Sequence, residues 1–184
     1  TMWRETFDEG ELAGFFDAFA SEQIVLKPRI SANADNTFWL TKQNYQSVIA
    51  ELKAAFKARP FMVQPFMESV INEGEFSLFY FDGQYSHAIL KTPKDNDFRV
   101  QEEHGGRLQA ISPEPELETQ ALATLSALQA INGMPLYARV DFVRFGDTFA
   151  LMEAELIEPS LYFNMDEKSA GRFAVAFANK MKSL

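Results

Sequence analysis

Hydrophobic residues in the first third of the chain follow two different spacings. Intervals of three and four residues, which are typical of the buried face of a helix, occur at Leu12, Phe15, Phe16 and Phe19 and again at Tyr45, Val48, Ile49, Leu52 and Phe56. Asp8 and Glu11 resemble a capping box for the first of these helices. Between the two helices, the run from Gln23 to Lys27 is partly β-branched and is followed by Pro28, which favours a strand.

From residue 61 onward the pattern indicates mostly strands. Strands are predicted at 61–66, 76–81, 85–91, 136–145 and 149–156. Asp82-Gly83 lies between two aromatic-rich runs and is a strong hairpin signal, and Gly146-Asp147 joins the last two strands in the same way.

Two more helices are predicted in this second part. One begins with Ser112 as its N-cap and Pro113 at its first position, and it ends at Asn132-Gly133. Its apolar residues are Leu122, Leu125, Leu128 and Ile131. The last helix is expected to bury Phe173, Phe177 and Met181. Together the elements predict an α+β fold with mainly antiparallel sheets, and a two-lobed arrangement would divide near residues 66–68.

Composition narrows the class of protein. The chain has 184 residues, 47% of them hydrophobic, which is enough for a packed core. Its 17 Lys and Arg against 26 Asp and Glu give a net charge of −9, which argues against a nucleic-acid binder. It has no cysteine and no apolar run long enough to span a membrane. We therefore expect a soluble, cytoplasmic protein.

Four charged residues fall on the second predicted hairpin. Arg139 and Asp141 share one face of its first strand, and Glu153 and Glu155 share one face of the returning strand. A three-residue turn at 146–148 would bring Asp141 opposite Glu153 and Arg139 opposite Glu155, whereas a two-residue turn is expected to ruin this alignment. Three carboxylates without histidine or cysteine are typical of a hard-cation site, so Mg²⁺ shared with a phosphate is the expected occupant. A solvent-facing polar strand or an Arg139–Glu155 salt bridge would explain the same residues.

A further pattern lies in the order of six segments: VLKP (25–28), VQPFMES (63–69), GEFSLFYFDGQYSHAILK (74–91), DFRVQEEHGG (97–106), ARVD (138–141) and MEAELIEP (152–159). This order resembles the ATP-grasp ligases, and most of all their glutathione synthetase and ribosomal-protein glutamate ligase branch. The resemblance covers nearly the whole chain. It implies an ATP-grasp fold of two α+β lobes, residues 1–66 and 67–184, with the metal and substrate-phosphate site in the second lobe.

The resemblance also implies a nucleotide site. Lys27 matches the strand lysine that contacts the nucleotide phosphates, and Lys91 matches a basic position upstream of the arginine segment. The inter-lobe hinge, whose backbone reads the adenine edge, matches Gln64, Pro65, Phe66 and Met67. Residues 31–37 look like the loop that closes over the phosphates, although the glycines common there are absent. Two surface lysines and an ordinary buried strand are the alternative interpretation of these matches.

The same resemblance assigns metal ligands and two arginines. Asp141, Glu153 and Glu155 match the three metal ligands, the third of which is usually an asparagine. Arg99 matches the arginine of the R-x-N-x-x-x-G-G segment, with Gln101 in place of the asparagine. Arg99 and Arg139 are expected to stabilise the charge that develops during phosphoryl transfer. His87 and His104 are not expected to be catalysts.

The implied activity is that of an ATP- and Mg²⁺-dependent carboxylate–amine ligase acting through an acyl phosphate, and Mn²⁺ could replace Mg²⁺. Its partners would be a small-molecule carboxylate and an amine. The sequence leaves open whether the protein forms a homodimer. A noncatalytic nucleotide-binding module and an ATP-grasp phosphotransferase are the alternatives. Family members carry an additional N-terminal α/β domain with a further lysine, so we expect this chain to be a fragment or a trimmed form with incomplete activity alone.

Overall fold

The computed structural model describes residues 1–31, 34–95 and 97–182. The chain forms two compact units, Thr1–Met67 and Glu68–Leu184. Among the described residues, no helix combines the length and the hydrophobicity that crossing a membrane requires. The predicted α+β class with antiparallel sheets is confirmed in both units.

The first unit is a four-stranded antiparallel sheet with two α-helices. Its elements are β1 (Met2–Arg4), α1 (Glu9–Ala18), β2 (Gln23–Pro28), β3 (Phe38–Thr41), a 3₁₀ turn (Tyr45–Val48), α2 (Ile49–Phe56) and β4 (Phe61–Pro65). The strand order is β1-β4-β2-β3. The two edge strands, β1 and β3, were not predicted, because three or four residues are too few for an alternating pattern to be recognised.

Local sequence explains the start of α1. The Asp8 carboxylate accepts the amide N–H of Gly10 at 2.8 Å and so satisfies one of the free donors at the helix terminus. The capping box is incomplete, because Glu11 pairs with Arg4 at 3.2 Å. Leu12 and Phe16 point into a core that they share with both helices and the sheet.

The second unit is a five-stranded antiparallel sheet with order β7-β6-β5-β8-β9. Its elements are α3 (Ser69–Asn72), β5 (Glu75–Phe81), β6 (Gln84–Thr92), β7 (Arg107–Ile111), α4 (Pro115–Asn132), β8 (Tyr137–Phe145), β9 (Thr148–Glu155) and α5 (Ser169–Lys182). Helix α4 packs Leu117, Ala121 and Leu125 on one face of the sheet. On the other face, Phe173 of α5 contacts Phe81 of β5, with ring centroids 5.3 Å apart.

Two details of the predicted helices are wrong. Helix α4 begins at Pro115 and not at Pro113, because Glu114 precedes a proline and is held in an extended conformation. In α5 the side chains of Phe177 and Met181 are 47% and 54% exposed. This helix meets the sheet along a narrow stripe that includes Phe173 and Ala176, and Phe177 and Met181 lie outside this stripe.

The turn of the β8–β9 hairpin is also different from the prediction. Phe145 pairs with Thr148, so the turn is the two-residue Gly146-Asp147. Asp141 nevertheless lies opposite Glu153 and Arg139 opposite Glu155. A β-bulge between Asp141 and Phe142 inserts one extra residue on β9 and restores the alignment that the short turn would have destroyed.

Candidate functional site

Charged side chains from four neighbouring strands of the second unit meet on one face of its sheet. Lys91 of β6 pairs in register with Glu75 of β5, and Asp141 of β8 pairs with Glu153 of β9. The face that packs on α4 carries the intervening apolar residues. The members of this charged cluster are Glu75, Lys91, Arg139, Asp141, Glu153 and Glu155.

Arg139 binds three of the carboxylates. Its Nε donates to both oxygens of Asp141, at 3.1 and 3.0 Å. Its Nη2 forms an ion pair with Glu155 and lies 4.0 Å from Glu153 Oε2. The cross-strand salt bridge that the sequence left open is therefore present, and it is one part of a larger cluster.

Lys91 is a buried member of the cluster, not a surface lysine at the end of a hairpin. Its side chain is 5% exposed. Its Nζ donates to Glu75 Oε1 at 2.7 Å and to Asp141 Oδ2 at 3.2 Å. Asp141 is completely buried, so it is held from two sides by Lys91 and Arg139.

The pKa values of the buried carboxyls shift in opposite directions. Burial disfavours the ionised form of both groups. For Glu75 burial outweighs the attraction of Lys91, and the pKa of Glu75 is raised. For Asp141 the charges of Lys91 and Arg139 outweigh burial, so its pKa lies below the usual value. The same two carboxylates overcome burial at Lys91 and raise its pKa. The cluster therefore stabilises an ionised Asp141 between two cations.

Three carboxylates of the cluster could hold a metal ion. Asp141, Glu153 and Glu155 each offer one oxygen atom within 4.8 Å of the others. The Glu153 side chain is 59% exposed and the Glu155 side chain 28% exposed, so two of the three are accessible. An all-oxygen donor set suits Mg²⁺ or Mn²⁺. The cluster has four carboxylates against two cations, and a divalent cation would offset the excess negative charge.

Arg99 lies outside the cluster, on the connection between β6 and β7. The Asp97 carboxylate accepts two hydrogen bonds from its guanidinium, Nε to Oδ1 at 3.0 Å and Nη2 to Oδ2 at 2.9 Å. The glycine pair closes the end of this connection. A Cβ on Gly106 would lie 2.0 Å from the carbonyl oxygen of Val100, and Gly105 has a φ of +85°, so both positions favour glycine.

The nucleotide-site candidates of the first unit lie on its sheet. Lys27 is half-buried on β2, in register with Met62 of β4. Gln64 donates to Thr1 Oγ1 at 2.8 Å. The Phe66 amide donates to the carbonyl oxygen of Gln23 at 3.0 Å. Pro65 ends β4 and Met67 ends the unit. Of the proposed phosphate loop, residues 32 and 33 lie outside the described residues.

Phe66 is already packed in this structure. Its ring stacks on Trp39, with centroids 4.4 Å apart and an interplanar angle of 16°. Its amide donor is used within the sheet. The hinge assignment stays a prediction.

His87 has a structural environment. Its ring stacks on Phe79 at 4.2 Å and hydrogen-bonds Ser86 Oγ at 2.9 Å and the carbonyl oxygen of Leu161 at 3.1 Å. Burial lowers the pKa of His87. His104 lies in the short 3₁₀ turn that precedes the glycine pair.

Among the described residues, Glu75 and Asp97 are two acidic partners of candidate residues that sequence reasoning did not include. Glu75 pairs with Lys91 at 2.7 Å, and Asp97 pairs with Arg99 at 2.9 Å. A signal for Asp97 existed, because an acid two residues before an arginine in a turn can bind it locally. Glu75 had no such signal.

A five-stranded antiparallel unit with a carboxylate cluster across its last hairpin and a smaller α+β unit are together the features of an ATP-grasp protein. In agreement, a family model described as the prokaryotic glutathione synthetase ATP-grasp domain matches residues 6–137. The chain belongs to this family, and the resemblance inferred from the six segments is confirmed.

Individual proteins support the same family. The cycloserine biosynthesis protein DcsG of Streptomyces lavendulae is 35% identical over 182 residues, covering 88% of this chain and 56% of that protein. The crystal structure of D-cycloserine synthetase DcsG gives a TM-score of 0.81 at 28% identity, over 97% of this chain and 63% of that one. D-alanine–D-alanine ligase from Bacillus anthracis gives 0.64 at 17% identity, over 95% and 57%. The chain thus spans little more than half the length of DcsG.

Proposed function

We propose that this chain is the ATP-grasp part of an ATP- and Mg²⁺-dependent ligase that joins a carboxylate to an amine. The observation that carries the proposal is the charged cluster of the second unit, in which Asp141, Glu153 and Glu155 approach within 4.8 Å of one another. The relatives support the reaction class, because DcsG is a D-cycloserine synthetase and the Bacillus anthracis protein is a D-alanine–D-alanine ligase.

The three carboxylates fit a hard divalent cation. They supply only oxygen donors, and the two on β9 are accessible. Mg²⁺ held by these carboxylates would offset the negative charge of the nucleotide phosphates. Glu155 in place of the usual asparagine adds one negative charge, which Arg139 balances through its ion pair.

The remaining candidates act on phosphate and substrate. Lys27 and Lys91 are proposed to attract the nucleotide phosphates, and the hinge at 64–67 to contact the adenine. A substrate carboxylate oxygen attacks the γ-phosphorus, and the bond between that phosphorus and the β–γ bridging oxygen breaks to release ADP. The amine then attacks the acyl carbon, the carbon–oxygen bond to phosphate breaks, and the amine loses a proton to solvent. Arg99 and Arg139 stabilise the negative oxygens in these steps.

Removing one exposed ligand tests the metal assignment. In Glu153→Gln we expect Mg²⁺-dependent binding of a non-hydrolysable ATP analogue to weaken at least about tenfold, because each ligand is a large share of a three-carboxylate site. Calorimetric titration at low and high Mg²⁺ measures the effect. Glu73→Gln, which alters a partly exposed acid paired with Arg144 outside the cluster, is the matched control. Unchanged Mg²⁺ dependence in Glu153→Gln would remove the metal assignment.

Product analysis with the full-length protein separates ligation from the alternatives. ADP release that requires both a carboxylate and an amine supports the ligase. ADP release with the carboxylate alone, together with a stable phosphorylated product, indicates a phosphotransferase. Nucleotide binding without ADP release under either condition favours the noncatalytic module, and absence of Mg²⁺-dependent nucleotide binding contradicts both enzymes.

A further inference from the structure

Arg99 lies on a connection and not on a strand, so something other than the sheet has to orient it. Its side chain is 36% exposed, whereas that of Asp97 is 7% exposed. A free arginine side chain populates many rotamers, and fixing it in one of them costs conformational entropy. An arginine that meets a phosphoryl group during transfer is more effective when that cost is met before the reaction begins.

Asp97 supplies the fixation. One carboxylate oxygen, Oδ1, accepts Arg99 Nε and the other, Oδ2, accepts Nη2. The two parallel bonds fix the plane of the guanidinium as well as its distance. The Oδ1 atom also accepts the amide N–H groups of Phe98 at 2.8 Å and Arg99 at 3.0 Å, so the carboxylate is itself held by the backbone of the turn.

The pair leaves part of the guanidinium for a ligand. A guanidinium has five N–H donors, and Asp97 uses one on Nε and one on Nη2. The three donors that Asp97 does not use, one on Nη2 and two on Nη1, lie on the other edges of the planar group. That is the arrangement needed to bind the oxygens of a phosphoryl group while the near side stays attached to the protein.

We propose that Asp97 is a positioning residue that holds the guanidinium of Arg99 ready for the transferring phosphoryl group. The inference rests on the proposed function, since it assigns Asp97 a role only through Arg99. The competing explanation is that Asp97 merely organises the turn by accepting the two backbone N–H groups.

The substitution Asp97→Asn distinguishes the two explanations. Asparagine retains one oxygen, which can still accept the amides of Phe98 and Arg99, and it loses the second acceptor of the guanidinium. Asp166→Asn is the matched control. Asp166 also combines a turn bond, from the Lys168 amide at 2.9 Å, with an arginine pair, to Arg172 at 2.8 Å.

The probes are MgADP alone and MgADP with aluminium fluoride, a mimic of the phosphoryl group during transfer, titrated into the full-length protein. We expect Asp97→Asn to weaken the aluminium fluoride complex about 10–100-fold, the range typical of groups that orient a functional side chain. Affinity for MgADP alone should change less than about twofold, because Arg99 acts on the transferring group. Asp166→Asn should match the parent in both titrations.

A double-mutant cycle supplies the readout that a merely structural role would not move. Adding Asp97→Asn to Arg99→Ala should cause no further loss, because Asp97 acts through Arg99. Arg99→Lys keeps the charge but cannot form both hydrogen bonds to Asp97, so its affinity for the aluminium fluoride complex should fall as much as that of Asp97→Asn. This variant replaces Asp97→Asn in the test if Asp97→Asn does not fold. An additive loss in the cycle, or parent-like affinity in Asp97→Asn or Arg99→Lys, would overturn the inference.

MgADP binding by the parent protein shows whether a negative result overturns only the role of Asp97 or the proposed function as well. If the parent binds no MgADP, the proposed function is overturned and the inference with it. If Arg99→Ala destroys the aluminium fluoride complex while Asp97→Asn preserves it, the ligase proposal stands and only the role of Asp97 is overturned.

Discussion

Arg139 and Arg99 both pair with an aspartate, yet the two arginines lie in different surroundings. The Arg139 side chain is 9% exposed among three carboxylates on two strands, while Arg99 is 36% exposed on a connection and binds Asp97 two residues away. In the first region each buried charge is stabilised by its partners, because a buried charge that loses its partner lowers the free energy of unfolding. In the second region solvent reaches the guanidinium of Arg99 and screens its charge, so the pair mainly determines the direction of that side chain. Mutations should therefore affect stability in the cluster and orientation at Asp97.

The largest expected effect is that of Asp141→Asn. This substitution removes the charge that lies between Lys91 and Arg139, and we expect it to lower the free energy of unfolding by about 3–5 kcal/mol, the usual cost of breaking a buried ion pair. Urea denaturation without metal measures it. Glu153→Gln, in the same cluster but 59% exposed, should cost no more than about 0.5 kcal/mol. Equal costs for the two variants would contradict the division between buried and exposed charge.

Glu75→Gln should have a smaller effect than Asp141→Asn. The raised pKa of Glu75 means that burial disfavours its ionised form, so a neutral residue regains part of what the lost charge contributed. Lys91 also retains Asp141 as a partner at 3.2 Å. We expect a loss of about 1.5 kcal/mol, near the lower end for a hydrogen bond to a charged group.

The same urea series checks this ranking of the two buried acids. Glu73→Gln provides a partly exposed reference outside the cluster, since the side chains of Glu73 and Arg144 are 34% and 29% exposed, and it should lower the free energy of unfolding less than either substitution. A loss for Glu75→Gln as large as that for Asp141→Asn would mean that the opposite pKa shifts of the two groups do not govern their contributions.

Sequence patterns predicted most strands and helices, and they brought Arg139, Asp141, Glu153 and Glu155 to one face of a hairpin. Two β-bulges limited the prediction of which side chains pair across the strands. A regular hairpin around Asp82-Gly83 would put Glu75 opposite Leu90, but the irregularity between Phe79 and Tyr80 puts it opposite Lys91.

The bulge in the β8–β9 hairpin had the opposite consequence for the prediction. There the predicted turn length was wrong, but the extra residue on β9, across from Asp141, still produced the expected pairs. A bulge depends on how the whole sheet twists and packs, so the local alternation of side chains does not reveal its position. Sequence could therefore predict which charged residues share the hairpin face more completely than it could predict the partners of each side chain.

The smallest expected effect concerns Asp97 and acid. The hydrogen bonds from Arg99 hold the pKa of Asp97 well below its usual range. A carboxyl whose pKa is lowered in the folded protein contributes stability above its unfolded pKa of about 3.9, and this contribution is lost as the pH falls toward the folded value. The free energy of unfolding of the parent should therefore exceed that of Asp97→Asn by at most about 1 kcal/mol at pH 6. This difference should shrink steadily toward pH 2. Urea midpoints of the two proteins across this range measure it. A difference that is constant or grows in acid would mean that Asp97 stabilises the turn by its shape alone, and the contrast with the cluster would then lose its electrostatic basis.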